Sequence, residues 1–118
     1  MTFTDTLPPG GILNPDDEVV SNNGRYQLIM QRDGNLVLYD LEIGHNARWA
    51  SNTQSLNINV NKCIMQMDGN LVINGSSNAI WSSNTQGRPY SFLRVQDDGN
   101  VVIYQPGLPA WATNTVQP

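Results

Sequence analysis

The stretch Gln31–Tyr39 reads QRDGNLVLY; it returns as QMDGNLVIN from Gln66 to Asn74 and as QDDGNVVIY from Gln96 to Tyr104. A second tag follows each copy: WASNT from Trp49, WSSNT from Trp81 and WATNT from Trp111. The glutamines stand at 31, 66 and 96, steps of 35 and 30, and the tryptophans at 49, 81 and 111, steps of 32 and 30. Two markers that keep step three times at a period near 30 mean three copies of one structural unit.

Within a unit the pattern is that of a hairpin. β-branched and aromatic residues flank the turn residues Asp33, Gly34 and Asn35. Strands are predicted over 26–32 and 36–40. A two-residue loop at Asp33-Gly34 would mix polar and apolar residues on both faces. A three-residue loop, Asp33-Gly34-Asn35, pairs residues whose numbers sum to 68 and collects Leu28, Met30, Leu36 and Leu38 on one face. The same loop groups Cys63, Met65, Leu71 and Ile73 in the second unit, and Leu93, Val95, Val101 and Ile103 in the third. All twelve positions are apolar, which selects the three-residue loop. Gly34, Gly69 and Gly99 are expected to relieve the turn, and Asn35, Asn70 and Asn100 to tolerate a left-handed backbone there.

The opposite face carries the functional signal. Gln, Asp, Asn and Tyr recur at alternate positions with one Val among them, and long flexible charges are nearly absent. A solvated strand would be expected to vary between copies. Stiff amide, carboxylate and phenol groups around a small apolar spot suit a polyhydroxylated ligand, whose vicinal hydroxyls need donors and acceptors in fixed places. The competing explanation, that Asp and Asn only brace the turn, accounts for those two residues but not for Gln and Tyr.

These residues resemble the monocot-type, snowdrop-lectin-like mannose-binding lectin family, whose signature is Gln-x-Asp-x-Asn-x-Val-x-Tyr. The first copy matches as Gln31, Asp33, Asn35, Val37 and Tyr39, and the third as Gln96, Asp98, Asn100, Val102 and Tyr104. The second matches as Gln66, Asp68, Asn70 and Val72, with Asn74 where Tyr belongs. The resemblance covers roughly residues 12–115. It implies an all-β fold, a β-prism of the second type: three four-stranded antiparallel sheets about a pseudo-threefold axis. It also implies roles: Asp and Asn hold the axial 2-hydroxyl of mannose, Gln the 3-hydroxyl, Tyr the 4-hydroxyl, and Val packs on the ring carbons, with no metal or other cofactor. The partners it implies are mannose-containing glycans and glycoproteins. A homodimer formed by exchange of the C-terminal strand, Trp111 to Pro118, is a further expectation. Many members join a Cys at the place of Cys63 to one at the place of Gly34. Glycine at 34 departs from that pattern, so no intramolecular disulfide is expected, which suits a reducing compartment or indifference to redox state.

The remaining sequence fits one domain spanning 1–118, long enough for a real core. Only 14% of residues are charged and the net charge is −4, which disfavours nucleic acid and anionic membranes as partners. No apolar run reaches the length of a membrane span. The start, MTFTDTLPPGG, has neither a basic beginning nor an apolar stretch like that of a signal peptide. The expected location is therefore cytoplasmic, or outside the cell by a route without a classical signal, a secreted mature chain being the alternative. The Asn74-Gly75-Ser76 sequon points the same way, since a glycan there would cover the second site.

Residues 7–14 read as an extended lead-in, with Ile12-Leu13 and Val19-Val20 supplying the first strands. Asn57 to Asn61 alternates strictly and predicts a strand. The tryptophans are expected in the core near the pseudo-threefold axis, Cys63 as a buried small hydrophobe, and His45 as a solvated side chain in a longer connection over 40–46. Arg94 stands on the outer face where Ile29 and Ile64 stand in the other copies, as a rim charge or an added donor for sugar. Each unit offers one recurrent Asp, whereas glycoside hydrolysis needs two carboxylates flanking one bond. Every Ser/His/Asp or Cys/His set would have to use His45. No catalytic residues are expected, and the predicted function is multivalent sugar binding; the alternative is a protein-interaction or antagonistic, toxin-like module on the same fold.

Overall fold

The computed structural model describes residues 2–54, 61–106, 108–113 and 115. Every regular element among them is a strand. In chain order these are β1 (Thr2–Phe3), β2 (Thr6–Leu7), β3 (Ile12–Leu13), β4 (Glu18–Val20), β5 (Tyr26–Met30), β6 (Leu36–Asp40), β7 (Asn46–Ala50), β8 (Lys62–Met65), β9 (Leu71–Asn74), β10 (Ala79–Ser82), β11 (Phe92–Val95), β12 (Val101–Gln105) and β13 (Leu108–Ala112). They form three sheets in the orders β1-β4-β5-β6-β7, β10-β9-β8-β3 and β13-β12-β11-β2. The strand expected over 57–61 falls mostly outside the described residues.

Each repeat supplies three consecutive strands of one sheet, and the N-terminal segment completes all three. β2 joins the third sheet, β3 the second and β4 the first. Ile12-Leu13 and Val19-Val20 lie in β3 and β4 as expected, while β1 and β2 are additional short strands. The first sheet departs from the expected four antiparallel strands: β1 adds a fifth, parallel to β4, pairing Thr2 with Glu18 and Phe3 with Val19.

All twelve inward positions are buried, none more than 1% exposed. They form one cluster with Leu7, Leu13, Val19 and Tyr26, so strands from every sheet feed a single core. Trp49, Trp81 and Trp111 pack against it and against one another, edge to face. Their ring centroids lie 5.7, 5.7 and 6.0 Å apart at interplanar angles of 71°, 77° and 79°. Such a nearly equilateral triangle is what three equivalent units about one axis produce, and edge-to-face geometry suits the aromatic quadrupoles. This is a β-prism of the second type.

The hairpin register differs from the expected one by two residues. Met30 pairs with Leu36, Met65 with Leu71 and Val95 with Val101, sums of 66, 136 and 196 rather than 68, 138 and 198. The loop has three residues but begins one position earlier, at Arg32-Asp33-Gly34. Gly34 N–H donates to the Gln31 carbonyl at 3.0 Å, and Gln31 N–H to the Asn35 carbonyl at 2.9 Å. That is a type I turn closed by one left-handed residue. Glycine takes that place, with φ of 91°, 93° and 90° at Gly34, Gly69 and Gly99, while Asn35, Asn70 and Asn100 are not left-handed. The faces survive the correction because a shift of two preserves the side-chain period.

Candidate carbohydrate-binding sites

The motif residues meet on the outer face of each sheet. Val37, Val72 and Val102 occupy the middle strands and are only 3–4% exposed, so each forms the floor of a recess. Around it stand Gln and Asp from the hairpin turn and Tyr or Asn two positions beyond the Val. At the first site Asn35 N–H donates to Asp33 Oδ1 at 3.0 Å, fixing the carboxylate at the turn. Gln31 Nε2 donates to both Asp33 oxygens at 3.1 and 3.2 Å, and Tyr39 hydroxyl donates to Gln31 Oε1. The third site repeats this arrangement. Asn100 N–H donates to Asp98 Oδ1 at 2.9 Å, Gln96 Nε2 lies 3.2 and 3.3 Å from the Asp98 oxygens, and Tyr104 hydroxyl donates to Gln96 Oε1.

The second site keeps only part of it. Asn70 N–H donates to Asp68 Oδ1 at 3.0 Å, but among the described residues nothing ties Gln66 to Asp68 or to Asn74. With no phenol to orient its oxygen, the Gln66 amide is not held.

The asparagine side chains reach the tags. Asn35 Oδ1 accepts from Thr53 N–H and from Ser51 hydroxyl, both at 3.2 Å. Asn70 Oδ1 does the same with Thr85 and Ser83 at 3.2 and 3.3 Å, and Asn100 Oδ1 with Thr115 and Thr113 at 3.2 and 2.9 Å. The oxygen end of each amide braces the fold, which leaves Nδ2 as its donor for a ligand. The same tag residues close the turn. Ser51, Ser83 and Thr113 accept from the first strand N–H after it, at 3.0, 3.0 and 2.9 Å. Thr53 and Thr85 hydroxyls donate to the carbonyls of Gly34 and Gly69 at 2.6 Å, and Thr115 to that of Gly99. The sequence reading used only the tryptophan of each tag. The signal for the rest was present: a hydroxyl residue two and four places after every Trp.

The surroundings differentiate the sites. Across the ladder, the last motif position faces Gln27 in the first site, Lys62 in the second and Phe92 in the third. The Phe92 ring lies 5.8 Å from that of Tyr104. Arg94 is engaged rather than simply solvated: its guanidinium lies 5.1 Å from the Phe92 centroid, 3.3 Å from Thr6 Oγ1 and 3.7 Å from Asp5 Oδ2. Asp97 turns away from Asp98, its Oδ1 accepting from Asn23 N–H at 2.9 Å. His45 is exposed but not isolated, its ring lying 6.0 Å from that of Tyr39.

Cys63 is buried and free, and burial pushes its thiol up to about 12. The position standing against Gly34 is not Cys63 but Asn61, whose Nδ2 donates to the Gly34 carbonyl at 2.9 Å and to that of Thr53 at 3.2 Å. Among the described residues no three His, Cys, Asp or Glu side chains are grouped as metal ligands would be.

A recessed valine ringed by Gln, Asp, Asn and Tyr, repeated on the outer faces of a β-prism, defines the class: a lectin module of the bulb type. The comparisons agree. A mannose-specific lectin of Aloe arborescens is 48% identical over 95 residues, 78% of this chain and 82% of that protein. Among solved structures, a monomeric monocot mannose-binding lectin from Gastrodia elata superposes with a TM-score of 0.84 at 41% identity, covering 96% of this chain and 99% of that one. The snowdrop agglutinin, solved with methyl α-D-mannoside, gives 0.74 at 40% identity over 97% and 99%. No family profile matches the sequence. On this likeness the chain belongs to the monocot-type mannose-binding lectin family.

Proposed function

We propose that the chain binds terminal mannose on glycans and glycoproteins, without metal and without catalysis, through the sites at Asp33 and Asp98. The observation that carries this reading is the ordered Tyr–Gln–Asp chain found at both and missing at Asp68. A carboxylate held by its own turn and an amide held at both ends present fixed acceptors and donors to vicinal hydroxyls, while the recessed valine meets the C–H face of the sugar. The rigid Asp33–Asn35 pair takes the axial 2-hydroxyl, which distinguishes mannose from glucose. Gln31 takes the 3-hydroxyl and Tyr39 the 4-hydroxyl. Asp98, Asn100, Gln96 and Tyr104 act alike, and the second site binds more weakly.

Single sites of this size bind near millimolar, about 4 kcal/mol each, and strength comes from engaging several on one target. Isothermal titration with methyl α-mannoside in EDTA should show heat, with the glucoside much weaker. Asp33→Ala combined with Asp98→Ala should abolish most of the signal in a folded protein. Equal binding of both sugars, or of neither, overturns the reading. Two copies could assemble by exchanging β13, which here pairs with β12 of its own chain; a strict monomer by light scattering at high concentration would exclude that assembly.

A further inference from the structure

The connection from the last motif residue to the tag tryptophan runs from 39 to 49 in the first repeat, but only from 74 to 81 and from 104 to 111 in the others. The three extra residues bring His45 to the first site. Its ring stands edge-on to Tyr39, centroids 6.0 Å apart at 66°. This placement is built in from both sides. Asp40, fully buried at the start of the connection, accepts from Arg25 Nε and Nη2 at 3.1 and 3.0 Å and from Glu42 N–H at 3.1 Å. Leu41 N–H donates to the Arg25 carbonyl at 2.8 Å. At the far end, Asn46 pairs with Asp40 as β7 begins. Gly44 and His45 are both left-handed, φ 61° and 56°, and turn the backbone into the start of β7. Neither imidazole nitrogen bonds to the protein among the described residues. An imidazole carries at least one N–H in either protonation state, so the first site has a donor beyond its phenol.

We propose that His45 is a specificity-determining residue of the first site, donating a hydrogen bond to the exocyclic hydroxymethyl group of the hexose bound there. The inference rests on the reading of the site given above. With the 2-hydroxyl at Asp33 and the 4-hydroxyl at Tyr39, the next ring carbon is C5, which bears the hydroxymethyl, and the group standing past Tyr39 is His45. The third site has no equivalent, since residues 105–110 include no imidazole and Tyr104 meets the donorless ring of Phe92.

The test uses the full chain carrying Asp68→Ala and Asp98→Ala, so that only the first site binds. Methyl α-mannoside and its 6-deoxy analogue are titrated with and without His45→Ala. The 6-deoxy sugar should bind about five-fold more weakly when His45 is present, the worth of one ordinary hydrogen bond. His45→Ala should bind both sugars alike, at the level of the deoxy sugar. His45→Phe keeps a ring against Tyr39 without a donor and should behave like His45→Ala. A deoxy penalty that persists in either variant, or that is absent from the His45 protein, overturns the proposal while the site reading stands. Failure of the His45 protein to bind methyl α-mannoside brings down both.

Discussion

Asn35→Ala removes an amide oxygen that accepts from Thr53 N–H and Ser51 hydroxyl, and an amide nitrogen that the sugar would use. It is therefore expected to cost stability and affinity together: about 2 kcal/mol for the two broken bonds, seen as a melting point lower by about 8 °C. Gln31→Ala should separate the two, because among the described residues that side chain hydrogen-bonds only to Asp33 and Tyr39. Sugar affinity should fall while melting moves little, and equal losses of stability in the two variants would contradict the division of labour. Cys63 gives a pH test at the same scale. Its thiol ionises near 12 when buried, against a normal value of 9.0. The folded state holds the proton more tightly, so this contribution is intact below pH 9 and is lost as pH rises from 9 toward 12, at about 1.4 kcal/mol per unit. Urea midpoints taken at pH 8 and 10.5 should fall further in the parent than in Cys63→Val. Iodoacetamide should label the thiol only as the chain unfolds.

The hairpin is the element on which sequence and structure can be compared most closely. Which residues share a face was legible, because a period of two assigns faces whatever the loop's exact position. The register was not, because the turn was centred on Asp33-Gly34-Asn35 as a block. The recurring glycine as the third loop residue was the clue, since a type I turn of this length ends in one left-handed position. Motif residues were legible as a set, but the split use of the Asn35 amide depends on a hydroxyl 16 residues away and a backbone N–H 18 residues away. The fifth strand of the first sheet left no pattern to read, two residues being too few for periodicity. The turn glycines also predict a ranking. A Cβ on Gly69 would lie 2.2 Å from the Arg88 carbonyl oxygen, a backbone atom, whereas one on Gly34 would first meet the side-chain amide of Asn61 at 2.5 Å, which can shift at the cost of its bonds to the Gly34 and Thr53 carbonyls. Both alanine variants bear the cost of a left-handed backbone, about 1 kcal/mol or more. Gly69→Ala should be the worse in denaturant melts, and the reverse order would show that the loop over 86–91 yields easily.

For the molecule as a whole, the three tryptophans pack against the core that all three sheets share and join those sheets to one another. Trp81→Ala should destabilise by about 3 kcal/mol and alter the near-ultraviolet circular dichroism of the remaining pair, since each ring contacts both others. The outer faces point away from that common centre, so the two complete sites look in different directions and suit separate branches or separate particles rather than one flat array. Precipitation of a branched mannan should then need both. Asp98→Ala should still bind methyl α-mannoside yet fail to precipitate the polymer, and undiminished precipitation would show that the second site is active or that chains associate.

The N-terminal segment that supplies strands to all three sheets also sets a schedule for folding. Leu7 pairs with Leu93 and Ile12 with Ile64, partners 86 and 52 residues apart. β2 and β3 are therefore synthesised well before the strands they pair with, and β2 has no third sheet to join until β11 has been made. Each repeat can close its own hairpins locally and early, but the sheets can be completed only late. High contact order of this kind slows folding and leaves open strand edges exposed while it proceeds.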